Sequence, residues 1–197
     1  MHGFKSTTVL NLATNRKTAR AYKKKRINYE DIEYCIKAAA QAPSGANKQP
    51  WRFLLVDNEK LKARIRKSCE EQEKRFHEIE ENLRDWFKSR GITWEKQFLT
   101  DAPVLLLVFS NRKMPYATES AWLAIGYVLL ALEERSLSTL TYTPSYSDKV
   151  RAAFGVPADY RLESILPIGH SADTKPKEDR LPAKSFVRRN RWNNHNQ

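Results

Sequence analysis

Arg16 and Arg20 stand four apart, with the hydroxyl of Thr18 between them. On a helical turn that spacing places two guanidinium forks on one face. Two forks and a hydroxyl hold a phosphate dianion through charge-assisted hydrogen bonds. Lys17 adds a point charge there or lies in solvent. Taken alone, the run reads as a solvated basic surface, since Lys23, Lys24, Lys25 and Arg26 continue it. Pro43-Ser44-Gly45-Ala46-Asn47 is a second candidate. Small residues in a turn let backbone approach a flat ring closely, and the same letters also end an ordinary helix.

Other chemistries are excluded by what is missing. Six scattered glycines form neither a Walker A loop nor G-x-G-x-x-G. No G-x-S-x-G supplies a hydrolase nucleophile. His2, His77, His170 and His195 do not meet cysteines at metal-ligand spacing, so no metal site is expected. Cys35 sits on an apolar helix face and reads as a buried structural thiol. Two cysteines make no disulfide framework and fit a reduced, cytoplasmic setting. The longest uncharged apolar stretch, 121–132, is too short to span a bilayer, and the first ten residues hold no signal-like apolar run.

The elements that must position these residues follow from periodicity. Asn28 precedes an acidic first turn and an apolar stripe of Ile32, Cys35, Ile36 and Ala39, which predicts a helix stopping near Ala42. Trp51–Val56, Pro103–Phe109, Leu137–Tyr142 and Leu162–Ile168 read as strands. Helices are expected over Glu59–Ser89, Ala117–Glu134 and Ser147–Phe154. The 117–134 helix is apolar nearly all round and should be central. Alternation of this kind is an α/β or α+β layered fold. The 197 residues suit one domain with an appended arm. Lys and Arg number 35 against 23 Asp and Glu, a net charge of +12. That charge raises nucleic acid as a partner, but the cations gather near the two ends rather than interleaving with aromatics along one face. No nucleic acid and no membrane partner is expected.

Three segments together carry a resemblance. Arg16-Lys17-Thr18-Ala19-Arg20 precedes Ala42–Trp51. Thr139–Pro144 precedes Phe154-Gly155-Val156-Pro157. Leu166-Pro167-Ile168-Gly169 precedes Arg180-Leu181-Pro182 and Asn190-Arg191-Trp192. In order and spacing, from Arg16 to Trp192, the chain resembles the flavin-dependent nitroreductase superfamily, and within it the iodotyrosine deiodinase branch. The resemblance implies an α+β three-layer α/β/α sandwich with a mixed or antiparallel central sheet. It implies a homodimer whose segments 1–15 and 183–197 are exchanged, with FMN bound between the subunits and electrons drawn from NAD(P)H or another reductant.

It also implies roles. Arg16, Lys17, Thr18, Arg20 and Arg180 hold the FMN phosphate. Pro43, Ser44 and Gly45 line the flavin, and Thr141 and Tyr142 border it. The Thr143 hydroxyl meets flavin N5, which favours one-electron steps. The Ala46 N–H faces the substrate phenolate oxygen, an oxyanion-type contact. The branch clamps the amino-acid part of a halotyrosine with a Glu, a Tyr four residues later and a Lys. Glu73 and Lys96 match two of these, while His77 stands at the Tyr position. A carboxylate meets an ammonium, and cationic and N–H donors meet a carboxylate. The His brings a different reach and a charge that follows pH. The function implied is FMN-dependent reductive dehalogenation of halotyrosines. The alternative is an NAD(P)H-dependent nitroreductase or quinone reductase acting on another aromatic.

Overall fold

The computed structural model describes residues 8–79, 84–89, 93–145 and 147–192. In chain order its elements are α1 (Val9–Asn15), α2 (Tyr29–Ala39), β1 (Trp51–Val56), α3 (Glu59–Ile79), α4 (Arg84–Ser89), α5 (Phe98–Asp101), β2 (Val104–Asn111), α6 (Ala117–Glu134), α7 (Ser147–Ala153) and β3 (Tyr160–Ile168). Single 3₁₀ turns occur at Gly45–Asn47 and Ala183–Ser185.

The start of α2 is set as its sequence predicts. Asn28 caps it, its side chain accepting from the Glu30 N–H at 3.0 Å, and Glu30 and Asp31 face the positive helix end. The helix ends at Ala39, earlier than expected. Pro43 disfavours helical backbone at Ala42 and cannot donate to a continuing helix.

β2 is the central strand. It pairs antiparallel with β1, Phe53 opposite Val108, and antiparallel with β3, Leu107 opposite Ile165. Val104–Ser110 are all buried, as a strand covered on both faces must be. Successive side chains point to opposite faces. Leu105, Leu107 and Phe109 pack with Ile65 and Cys69 of α3, Leu99 of α5 and Val150 of α7. Leu106 and Val108 pack with Ile32 and Cys35 of α2 and Ala124, Ile125 and Val128 of α6. Two helical layers therefore sandwich one sheet, the expected three-layer α+β arrangement. Each fully buried aliphatic side chain contributes about 1.5–3 kcal/mol.

Two expectations differ in detail. Leu137–Tyr142 forms isolated bridges rather than a named strand: Ser138 to Gly169, Tyr142 to Ile165, and Thr139 to Thr18 in parallel. It divides its hydrogen bonds between the end of β3 on one side and residues 18–19 on the other. The parallel bridge makes the otherwise antiparallel arrangement mixed. Of the expected helix 59–89, α3 and α4 are described, and residues 80–83 between them lie outside the described residues. α6 is buried along one face only, and Trp122, Leu123 and Tyr127 remain exposed on the other. Among the described residues no helix is long and apolar enough to cross a membrane.

Candidate functional site

Arg16–Arg20 is not a helical turn. Arg16 is the C-cap of α1, its N–H donating to the Leu12 carbonyl at 2.9 Å. Beyond it the chain is extended. Thr18 bridges Thr139, and the Ala19 N–H donates to the Thr139 carbonyl at 3.1 Å. These bonds outside the segment replace the i to i−4 bonds of a helix. The shared face survives, because alternate residues of an extended chain point the same way. Arg16, Thr18 and Arg20 are then spread over about 13 Å. Lys17, in between, takes the other direction. Its ammonium donates to the carbonyls of Asp173 at 2.9 Å and Lys175 at 2.8 Å. Lys17 thus fastens the returning tail, and the Arg20 N–H adds a bond to Asp173 Oδ2 at 3.0 Å.

That tail carries a cation whose role the sequence did not disclose. Lys177 donates to the Ala13 and Thr14 carbonyls, each at 2.7 Å, at the C-terminal end of α1. Desolvation, then the charges of Arg16 and Arg180, push its ammonium below the usual lysine value. The Glu133 carboxylate opposes those two charges in part. Arg180 is exposed and donates to the carbonyls of Glu178 and Asp179, at 2.9 and 3.3 Å.

A cavity of about 640 Å³ opens beside this segment. Arg20, Thr141 and Thr143 line it together with Glu73, Lys96 and Tyr142, and Phe76 and Phe87 form an aromatic wall. Those two rings meet edge to face at 6.2 Å. Glu73, on α3, is buried, as is Lys96, which precedes α5. The Lys96 Nζ lies 3.3 Å from Glu73 Oε2. Glu73 Oε1 accepts from the hydroxyls of Tyr142 and Ser145, both at 3.1 Å. Burial first, then the neighbouring Cys69 and Glu73, push the Tyr142 phenol far above its ordinary value, so it remains a donor. Lys96 Nζ also donates to the Thr93 carbonyl at 2.7 Å. The Thr143 hydroxyl donates to the Glu163 backbone carbonyl at 3.1 Å. Thr141 is exposed at the cavity edge.

Pro43, Ser44, Gly45 and Ala46 do not line this cavity. They form a separate strained turn after α2. Ala46, Asn47 and Gln49 all take positive φ, at 48°, 52° and 47°. Such backbone costs about 1–3 kcal/mol at each non-glycine residue and collects at functional sites. Ser44 braces the turn, its Oγ accepting from the Gln49 N–H at 3.0 Å. Gly45 is required by contact: a Cβ there would lie 2.7 Å from Tyr116 Cδ2 and 3.2 Å from the Pro115 carbonyl oxygen. Its N–H reaches Ser120 Oγ at 3.4 Å. Ala46 is exposed.

The residues read from the sequence therefore fall into two groups within one chain. Arg20, Thr141, Tyr142, Thr143, Glu73 and Lys96 line the cavity, whereas Arg16, Thr18 and Arg180 do not. The 43–46 turn stands apart. His77 lies in α3, and its side chain is outside the described residues. Sequence reasoning missed Ser145 and Lys177, since a lone Ser and one Lys of a basic chain carry no periodic signal. Among the described residues no cluster of His, Cys, Asp and Glu could hold a metal ion.

An α+β sandwich with an antiparallel three-stranded sheet, a basic extended segment and a polar cavity beside it is the class these observations define. The nitroreductase family pattern matches residues 13–170. The chain belongs to the nitroreductase family and, within it, to the iodotyrosine deiodinase branch. It is 50% identical to the iodotyrosine deiodinase of Thermotoga neapolitana over 170 residues, 86% of this chain and 91% of that one. It is 32% identical to the iodotyrosine deiodinase of Haliscomenobacter hydrossis, covering 86% of this chain and 82% of that one. A crystal structure of oxidised iodotyrosine deiodinase bound to FMN and 3-iodo-L-tyrosine superposes with a TM-score of 0.89 at 47% identity, covering 94% of this chain and all of that one.

Proposed function

We propose that this chain is one subunit of an FMN-dependent reductive dehalogenase of halotyrosines. The observation that carries the reading is the Glu73–Lys96 pair, 3.3 Å apart and buried at the cavity. Opposite charges in contact are parted by a zwitterion, whose ammonium goes to the carboxylate and whose carboxylate goes to the ammonium. The similarity to a structure holding FMN and 3-iodo-L-tyrosine supports the same conclusion.

The residues fit an FMN phosphate. Arg16, Thr18, Arg20 and Arg180 are the proposed phosphate ligands, with Lys177 added to the set. Lys17 serves them indirectly by fixing the 173–175 tail. Thr141, Tyr142 and Thr143 border the flavin ring. For the Thr143 hydroxyl to serve flavin N5 it turns from the Glu163 carbonyl, one neutral hydrogen bond exchanged for another. When bound and reduced, the flavin supplies two electrons and a proton, so that halotyrosine and reduced flavin become tyrosine, halide and oxidised flavin. The protein's part is to place the phenol ring and hold its oxygen as phenolate through the Ala46 N–H. Glu73 and Lys96 grip the amino-acid end, and His77 occupies the third clamp position on α3.

The turn bearing Pro43, Ser44, Gly45 and Ala46 lies outside the cavity of its own chain, so these groups are proposed to come from a second copy. A homodimer is further supported by uncovered apolar side chains at both ends of the chain and on α6: Val9, Leu10, Trp122, Leu123, Phe186 and Trp192. Each subunit is then one domain whose segments 1–15 and 183–197 reach across. Electrons come from NAD(P)H or an equivalent reductant. The free, buried Cys35 and Cys69 support a reducing cytoplasm.

The test is selective binding. FMN-loaded protein is titrated with 3-iodotyrosine and with 2-iodophenol while flavin fluorescence is followed. The reading predicts at least tenfold tighter binding of the amino acid, and loss of that gap in Glu73→Gln. Equal binding of the two phenols favours a nitroreductase acting on other aromatics.

A further inference from the structure

One face of α3 grips the segment that carries Lys96. Arg66, Glu70 and Lys74 stand at i, i+4 and i+8, so they form one stripe along the helix. Each holds a different residue of the 94–100 segment, in reverse order. The Arg66 guanidinium donates to Thr100 Oγ1 at 3.0 Å. Glu70 Oε1 accepts the Lys96 backbone N–H at 2.7 Å and the Arg66 Nε–H at 2.7 Å. Lys74 Nζ stands 5.6 Å from the centre of the Trp94 ring. Glu73, whose carboxylate faces the Lys96 ammonium, is on the next turn of the same helix. Glu70 therefore joins the backbone of Lys96 to the element that carries its ionic partner.

We infer that Glu70 is a positioning residue for amino-acid recognition, setting the depth and register of Lys96 against Glu73. The inference rests on the proposed dehalogenase reading for its functional half, and on the hydrogen bond alone for its structural half. Glu70 does not line the Glu73–Lys96 cavity, so its effect passes through the Lys96 backbone. Loss of one charge-assisted hydrogen bond to a half-buried carboxylate corresponds to about tenfold in binding.

Two measurements on the FMN-loaded protein test this. The first is amide hydrogen exchange at Lys96 without substrate in wild type, Glu70→Ala and Glu70→Gln. Slow exchange in wild type, fast exchange in Glu70→Ala and recovery in Glu70→Gln, whose amide oxygen still accepts, are expected. Equal exchange in all three overturns the inference. The second compares 3-iodotyrosine with 2-iodophenol, which has no amino-acid end. Glu70→Ala should raise the 3-iodotyrosine KM about tenfold at unchanged kcat and leave 2-iodophenol kinetics unchanged. Equal losses on both substrates, or none on either, overturn a role in amino-acid recognition. Exchange that behaves as expected in a wild-type protein that binds no halotyrosine would sink the dehalogenase reading and not the tether.

Discussion

Replacing Lys96 by Met removes the cation from a carboxylate that the fold has already buried. Glu73 then keeps the hydroxyls of Tyr142 and Ser145, at 3.1 Å each. Breaking a buried pair by deleting one partner costs about 3–5 kcal/mol, because the surviving charge is left uncompensated. The two hydroxyl donors place this case at the lower end, about 3 kcal/mol. One kcal/mol moves the Tm of a domain of this size by about 2–4 °C, so Lys96→Met should melt about 6–12 °C below wild type. Glu73→Gln should cost less, since Lys96 retains the Thr93 carbonyl at 2.7 Å and the Tyr142 ring at 5.8 Å. The double variant carries no stranded charge and should recover at least half the loss. Denaturant unfolding of the FMN-loaded protein at fixed FMN measures all four states, because the cofactor itself adds stability by mass action. A Lys96→Met protein within about 1 kcal/mol of wild type refutes the reasoning, as does a double variant no better than the single.

Further outcomes follow from other parts of the molecule. Gly45→Ala drives a Cβ to 2.7 Å from Tyr116 Cδ2. It should cost about 1–3 kcal/mol of stability and weaken FMN binding, and unchanged FMN affinity would count against a flavin role for the turn. Burial pushes the Cys35 and Cys69 thiols up to about 12. The native protein should therefore resist iodoacetamide at pH 8 and react at both cysteines once unfolded, and rapid native labelling contradicts this. The same shifts make stability pH-dependent. Both thiols are raised on folding, so their contribution is complete below about pH 9 and falls toward pH 12, by up to about 1.4 kcal/mol per unit for each. Denaturation series across that window should show the decline, and Cys35→Ala should lessen its slope. Deleting residues 183–197 should lower both dimer content in light scattering and FMN affinity, whereas an intact FMN-loaded dimer would remove that arm from the interface. His77→Tyr should tighten 3-iodotyrosine binding in the fluorescence titration.

The parts of the fold written as periodicity were legible. The Asn28 cap and apolar stripe of α2, the doubly buried β2 and the apolar α6 all follow from local pattern, because packing against one sheet imposes periods of 3.6 and 2. α5 was not legible, since four residues are too short for a period to show. Nor was the extended backbone of Arg16–Arg20, which is decided by a bridge to Thr139, over a hundred residues away. The shared face of Arg16, Thr18 and Arg20 held all the same, because an even spacing returns to one side of an extended chain. Sequence rules place positive φ at glycine, yet in the 43–49 turn it falls on Ala46, Asn47 and Gln49. Gly45 in the same turn is instead kept small by the close approach of Tyr116, itself at φ 51°. Glu73 and Lys96 were legible through family resemblance. Their direct pairing, and the Tyr142 and Ser145 hydroxyls that complete it, were not, because the spacing of Glu73 and Lys96 along the chain says nothing about their approach in space.

The most direct test of the central claim is a single anaerobic turnover. FMN-loaded protein is reduced with dithionite, freed of excess reductant and mixed with 3-iodotyrosine, and iodide, tyrosine and the flavin spectrum are followed together. The account predicts one iodide and one tyrosine released for each flavin reoxidised. Reduced flavin that persists with no iodide released, or that reoxidises only on addition of a nitroaromatic or quinone, contradicts it.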